Sequence, residues 1–110
     1  MIEIKKSKFY AYKFSVKSED EVKKLLEGVR AEHKKATHVV HAFICSSPHM
    51  EKFYDAGEPS RTAGFPILGL LQKKGITDTL VIVARYFGGV KLGAGGLIRA
   101  YMKAAGEVLN

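Results

Sequence analysis

Residues Thr79-Leu80-Val81-Ile82-Val83-Ala84 form a continuous β-branched and aliphatic run. Apolar residues on consecutive positions read as a strand covered on both faces. Beyond it, Leu97, Ile98, Tyr101, Ala105 and Val108 recur at helical spacing and predict a helix after Gly96. Working from the N-terminus, Tyr10, Tyr12, Phe14 and Val16 alternate with Ala11, Lys13 and Ser15, so residues 2–16 read as one long or broken strand. Ser18 with Glu21 three residues later forms a capping box. The helix it opens buries Val22, Leu25, Leu26 and Val29, and turns Lys23, Lys24, Glu27, Arg30 and Lys34 to solvent.

Residues 37–46 predict the next strand. His38, Val40, Ala42 and Ile44 lie on one face; Val39, His41, Phe43 and Cys45 lie on the other. A turn at residues 46–49 leads to a short strand at 51–54. Ser60 or Thr62 is placed to cap a further helix. Pro66 stands in its first turn, Ile67, Leu68, Leu70 and Leu71 form its apolar side, and Gly75 is its stop. Three amphipathic helices need a sheet to cover. The order therefore predicts a single two-layer α+β domain with a sheet of about four strands.

Charge narrows the class of partner. Lys and Arg total 18 against 11 Asp and Glu, a formal net charge of +7. That excess favours acidic partners, among them RNA, a ribosome or an acidic protein surface. Cys45 is the only cysteine, so no intrachain disulfide forms. The N-terminal residues lack the apolar core of a signal peptide, and no apolar run approaches the roughly 20 residues of a membrane span. The expectation is a cytoplasmic protein with no membrane partner.

Two stretches carry candidate chemistry. Gly88, Gly89, Gly93, Gly95 and Gly96 lie between the apolar strand and the last helix, among Arg85, Lys91 and Arg99. Glycines allow close approach to the backbone, and a helix start offers unpaired N–H groups. With the three cations, these features suit a phosphate. The same glycines also suit a tight, well-packed turn. Their spacing fits neither the P-loop nor the dinucleotide fingerprint. The second stretch contains Asp55, Gly57, Glu58, Pro59, Ser60, Thr62, Ala63 and Gly64.

Three readings follow. In the first, Arg85, Lys91 and Arg99 line one groove that binds RNA or a ribosomal surface. Tyr86, Phe87 or Tyr101 could stack bases there, although each also suits the core. In the second, His38, Asp55, Glu58 and Ser60 form the cleft of an enzyme. In the third, Glu58 or Asp55 pairs with Arg85 or Arg99 and pins the loop to the glycine turn. His38 and His41 point to opposite faces, and no CxxC or HExxH completes a metal set, so neither metal nor cofactor is expected. His38 is expected on a sheet face, hydrogen-bonded near residues 55–62.

Both stretches resemble long family signatures. Residues 55–64, followed by Pro66-Ile67-Leu68, are similar to D-D-G-E-P-x-G-T-A-G-x-P-I-L. Residues 85–101 are similar to R-Y-F-G-G-x-K-L-G-x-G-G-L-x-R-A-Y, and Ala36, His38 and Ala42 to A-x-H-x-x-x-A. These are signatures of the IMPACT/YigZ family, and the resemblance covers essentially the whole chain. It implies a fold similar to the second domain of ribosomal protein S5, with helices on one side of a mixed sheet. It also implies a translation-linked or nucleic-acid-associated role, with a protein partner in translation control as one form. The RWD domain that precedes this domain in eukaryotic members, and the ferredoxin-like domain that YigZ members append, have no counterpart in these residues, so the kinase-pathway role is not carried over. Ala56 replaces the signature's second aspartate, and Arg61 stands where glycine is usual.

Overall fold

The apolar run at 79–84 belongs to the middle strand of a five-stranded sheet. A computed structural model describes residues 1–110. In chain order the elements are β1 (Ile2–Ile4), β2 (Ser7–Ser15), α1 (Glu19–Glu32), β3 (His38–Ser46), β4 (His49–Tyr54), α2 (Gly64–Lys74), β5 (Thr79–Tyr86) and α3 (Gly93–Leu109). The sheet order is β1-β2-β5-β3-β4. β5 pairs antiparallel with both β2 and β3. β2 and β3 therefore run the same way, joined by α1, and β5 fills the gap between them.

The α+β class and the helix-covered sheet are as expected, while the layering is richer. The sheet has five strands and every pair is antiparallel, rather than about four strands in a mixed sheet. The helices cover both faces, giving three layers instead of two. α2 and α3 pack on the face formed by Phe9, Val40, Ala42, Ile44, Val81 and Val83. α1 packs on the opposite face through Val22, Leu26 and Val29, against Val16, Phe43, Cys45, Leu80 and Ile82. The reason lies in β5, whose side chains are buried on both faces from Thr79 to Arg85. A layer on one side alone would leave Leu80 and Ile82 in water.

Residues 2–16, expected as one long or broken strand, are broken at residues 5–6 into the two arms of a hairpin. Lys5 and Lys6 turn the chain with φ of 47° and 70°. Consecutive left-handed residues suit the twist of a two-residue hairpin. Ser18 caps α1 by accepting from the Glu21 amide at 3.3 Å, while the Glu21 carboxylate accepts from the Lys17 amide at 2.9 Å. Gly75 ends α2 in the left-handed conformation with φ 65°.

Candidate functional site

Five elements send one side chain each to a buried polar cluster at the C-terminal end of β5. Glu58, on the loop between β4 and α2, is 7% exposed; Arg85, near the end of β5, is 5% exposed. Arg85 Nη1 donates to both Glu58 oxygens, at 3.0 and 2.8 Å. The Tyr101 hydroxyl, from α3, donates to Glu58 Oε2. His38, at the start of β3, holds Nε2 3.4 Å from Glu58 Oε1 and donates from Nδ1 to the Ala56 carbonyl at 2.8 Å. Ser7, from β2, accepts from Arg85 Nη2 at 3.2 Å. Burial, reinforced by the Glu58 charge, raises the Tyr101 pKa well above its usual value and keeps the hydroxyl protonated. A buried charge pair survives when its polar atoms find partners, and no buried side-chain nitrogen or oxygen of Glu58 or Arg85 lacks one.

Asp55 fixes the loop that presents Glu58. Its carboxylate accepts from the backbone amides of Arg61 at 2.8 Å, Ala63 at 3.2 Å and Gly64 at 2.9 Å. Asp55 therefore caps α2 from a distance, and the expectation of a Ser60 or Thr62 cap is corrected. Thr62 instead donates to the Pro59 carbonyl at 2.6 Å, and Ser60 is exposed. Ala56, Gly57 and Arg61 all take positive φ, which accounts for a family glycine at position 61. Gly64 lets α2 approach the sheet: a methyl group there would sit 2.6 Å from the Tyr54 carbonyl oxygen.

Above the cluster lies a cleft of about 400 Å³. His38, Glu58 and Arg85 contribute to its floor, with Pro59, Phe87 and Lys91 among the residues around it. Gly93 and Ala94 close one side with the first turn of α3. The helix spans Gly93 to Leu109 rather than starting after Gly96, with Gly93 itself at φ 75°, so Gly95 and Gly96 lie in its first turn and the connecting loop is residues 87–92. Leu92 offers no capping oxygen, which leaves the first amides of α3 without a side-chain partner. Gly88 serves packing, since a methyl group there would lie 1.9 Å from the Lys6 carbonyl oxygen. Gly89 turns the loop with φ 89°.

The three cations expected in one groove have different surroundings. Lys91 is exposed at the cleft. Arg85 also lines it, but its guanidinium is engaged by Glu58 and Ser7. Arg99 faces a separate depression with Lys5 and Lys103. Of the four groups in the enzyme reading, only His38 and Glu58 come together; Asp55 holds backbone and Ser60 faces water. Spacing alone did not assign Ser7 to Arg85, 78 residues away. Nor did it reveal the chain in which His33 joins the hydroxyls of Tyr12 and Tyr86, each at 2.6 Å. His41 lies on the α1 face with Nδ1 buried and unpartnered. Burial first, and then the Arg30 charge, lower its pKa to about 4.

A family model described as the Impact N-terminal domain matches residues 5–109. The chain belongs to that family. The IMPACT family member YvyE of Bacillus subtilis is 46% identical over 110 residues, covering 99% of this chain and 51% of the relative. The chain thus spans about half the length of that relative. A crystal structure titled as that of a hypothetical protein superposes with a TM-score of 0.93 at 38% identity, covering 98% of this chain and 54% of the other. The Impact N-terminal fold is also shared with a structure described as the two-domain translational regulator Yih1, with a TM-score of 0.64 and 25% identity over 98% of this chain and 43% of that one. No helix of this Impact N-terminal domain is long and apolar enough to cross a membrane.

Proposed function

We propose that this domain is a translation-linked binding module that holds RNA, free or within the ribosome, at the cleft beside residues 87–92. The carrying observation is how charge is distributed there. Glu58 is enclosed by Arg85 and Tyr101, and Asp55 is turned onto backbone amides. Lys91 is exposed at the cleft, Lys6 and Lys8 are exposed in one neighbouring depression and Lys5, Arg99 and Lys103 in another, and none takes part in an ion pair. Acids turned inward and free cations outward suit a phosphate backbone, which gives affinity with little sequence preference. The exposed amides of α3 add donors beside Lys91. The likeness to a translational regulator supports the translation-linked setting.

A salt titration of RNA binding tests the reading, using wild type, Lys91→Ala and, as a control on α1, Lys24→Ala. Lys91→Ala should weaken binding about equally across sequences and flatten the salt slope by roughly one contact. Wild-type binding by Lys91→Ala, with loss in Lys24→Ala, would move the site to the helix face and leave the glycine stretch as a turn.

A further inference from the structure

We propose that the cleft is the middle of a longer track for single-stranded RNA, running from the β1–β2 hairpin to the C-terminal end of α1. This rests on the reading of the cleft as an RNA site and extends it to residues outside the glycine loop. Three depressions meet at this end of the sheet. The cleft shares Phe87 with a depression of about 320 Å³ that Lys6 and Lys8 line. On its other side it shares Thr37 and His38 with a depression of about 470 Å³, lined by Arg30, Lys34 and Tyr54.

Each part of this surface pairs free cations with an accessible ring. Lys6, Lys8, Lys91, Arg30 and Lys34 are exposed and outside every ion pair. Among the residues lining the three depressions, the one carboxylate is the enclosed Glu58. Phe87 is 47% exposed and Tyr54 is 51% exposed. A large aromatic ring left half in water, beside cations with no counter-charge, matches a ligand that repeats phosphate and flat base. Free bases stack on such rings, whereas a duplex keeps its base faces to itself. An acidic protein surface would answer the charge and leave both rings unused.

The test is fluorescence anisotropy on the full chain, with labelled single-stranded RNA of about 12 nucleotides, a length within the usual range of such sites. Hairpin RNA, single-stranded DNA of the same sequence and polyglutamate are the comparison probes. Single-stranded RNA should bind more tightly than all three. Tyr54→Ala should weaken it about tenfold and Tyr54→Phe should restore it, the span expected for one stacked base. Arg30→Ala with Lys34→Ala should flatten the salt slope by about two contacts. Unchanged thermal melts would show that the variants fold. If Lys91→Ala weakens binding while Tyr54→Ala and the Arg30/Lys34 pair match wild type, the track is overturned and the cleft stands. If none of these variants moves the affinity, both readings fall. Hairpin RNA or DNA bound as tightly overturns the single-stranded RNA assignment, and tighter polyglutamate binding makes the partner an acidic protein.

Discussion

Replacing Glu58 by alanine should unsettle the whole domain rather than the loop alone. The substitution strands Arg85, a residue only 5% exposed in the intact fold, with the Ser7 hydroxyl at 3.2 Å as its remaining side-chain acceptor. It also strips the Tyr101 hydroxyl of its acceptor and His38 of its neighbour. Removing one partner of a buried pair costs about 3–5 kcal/mol, because the other charge stays out of water without compensation. The lost Tyr101 bond to a charged group overlaps with that figure, since members of one network are not additive. We expect a loss of about 4 kcal/mol. A domain of this size holds only about 5–15 kcal/mol in all. At about 4 °C or more per kcal/mol, Tm should fall by about 15 °C or more.

Urea unfolding followed by circular dichroism reads the difference, and a double-mutant cycle identifies its source. Glu58→Ala combined with Arg85→Met removes the stranded charge as well as its partner. The double variant should therefore be more stable than the sum of the single losses by about 2 kcal/mol or more. A Glu58→Ala protein within about 1 kcal/mol of wild type would refute the argument, as would strict additivity in the cycle. Either result would mean that water reaches Arg85 freely.

Three further variants probe other parts of the fold. His41 is neutral in the folded protein and titrates near pH 6.5 when unfolded, so its contribution is present above pH 6.5 and is lost as pH falls towards its folded pKa of about 4. The shift corresponds to about 3 kcal/mol, so His41→Phe should unfold with a visibly flatter dependence between pH 7 and 4.5, and an unchanged slope would assign the loss to carboxylates. Gly88→Ala should cost at least about 2 kcal/mol, because the added methyl group meets the Lys6 backbone at 1.9 Å. Gly28→Ala, in open space on α1, should instead stabilise by about 0.5–1 kcal/mol in the same thermal melts.

Periodicity exposed what depends on neighbours in the chain. The apolar run at 79–84 read correctly as a strand covered twice, and the alternation in β3 put His38 and His41 on opposite faces. Ser18 and Gly75 bounded their helices because caps are local. What escaped were features set by distant contacts. The Lys5–Lys6 turn carries no glycine or asparagine, so the alternation showed one long or broken strand and not the hairpin of β1 and β2. Asp55 reaches over the loop to cap α2, a bond across nine residues to Gly64, and no spacing rule announces it. The first turn of α3 contains three glycines, which lower helix propensity but are held in place by the packing of Leu97, Ala100 and Tyr101.

Composition was the least informative guide to the site. A net charge of +7 says that cations outnumber acids, not where each sign stands. Arg85 and Glu58 cancel inside the fold, so subtracting them leaves the net charge untouched while changing the local pattern entirely. Asp55 is withdrawn as well, onto three backbone amides. The surface around Phe87 is therefore more one-signed than the chain average. Arg85 serves this surface indirectly, by holding Glu58 and its loop against the sheet. A cation in the family signature is thus distinguished from a ligand-binding cation by its partner. Lys91 has no such partner, and for that reason the binding tests turn on Lys91 and the stability test on Glu58.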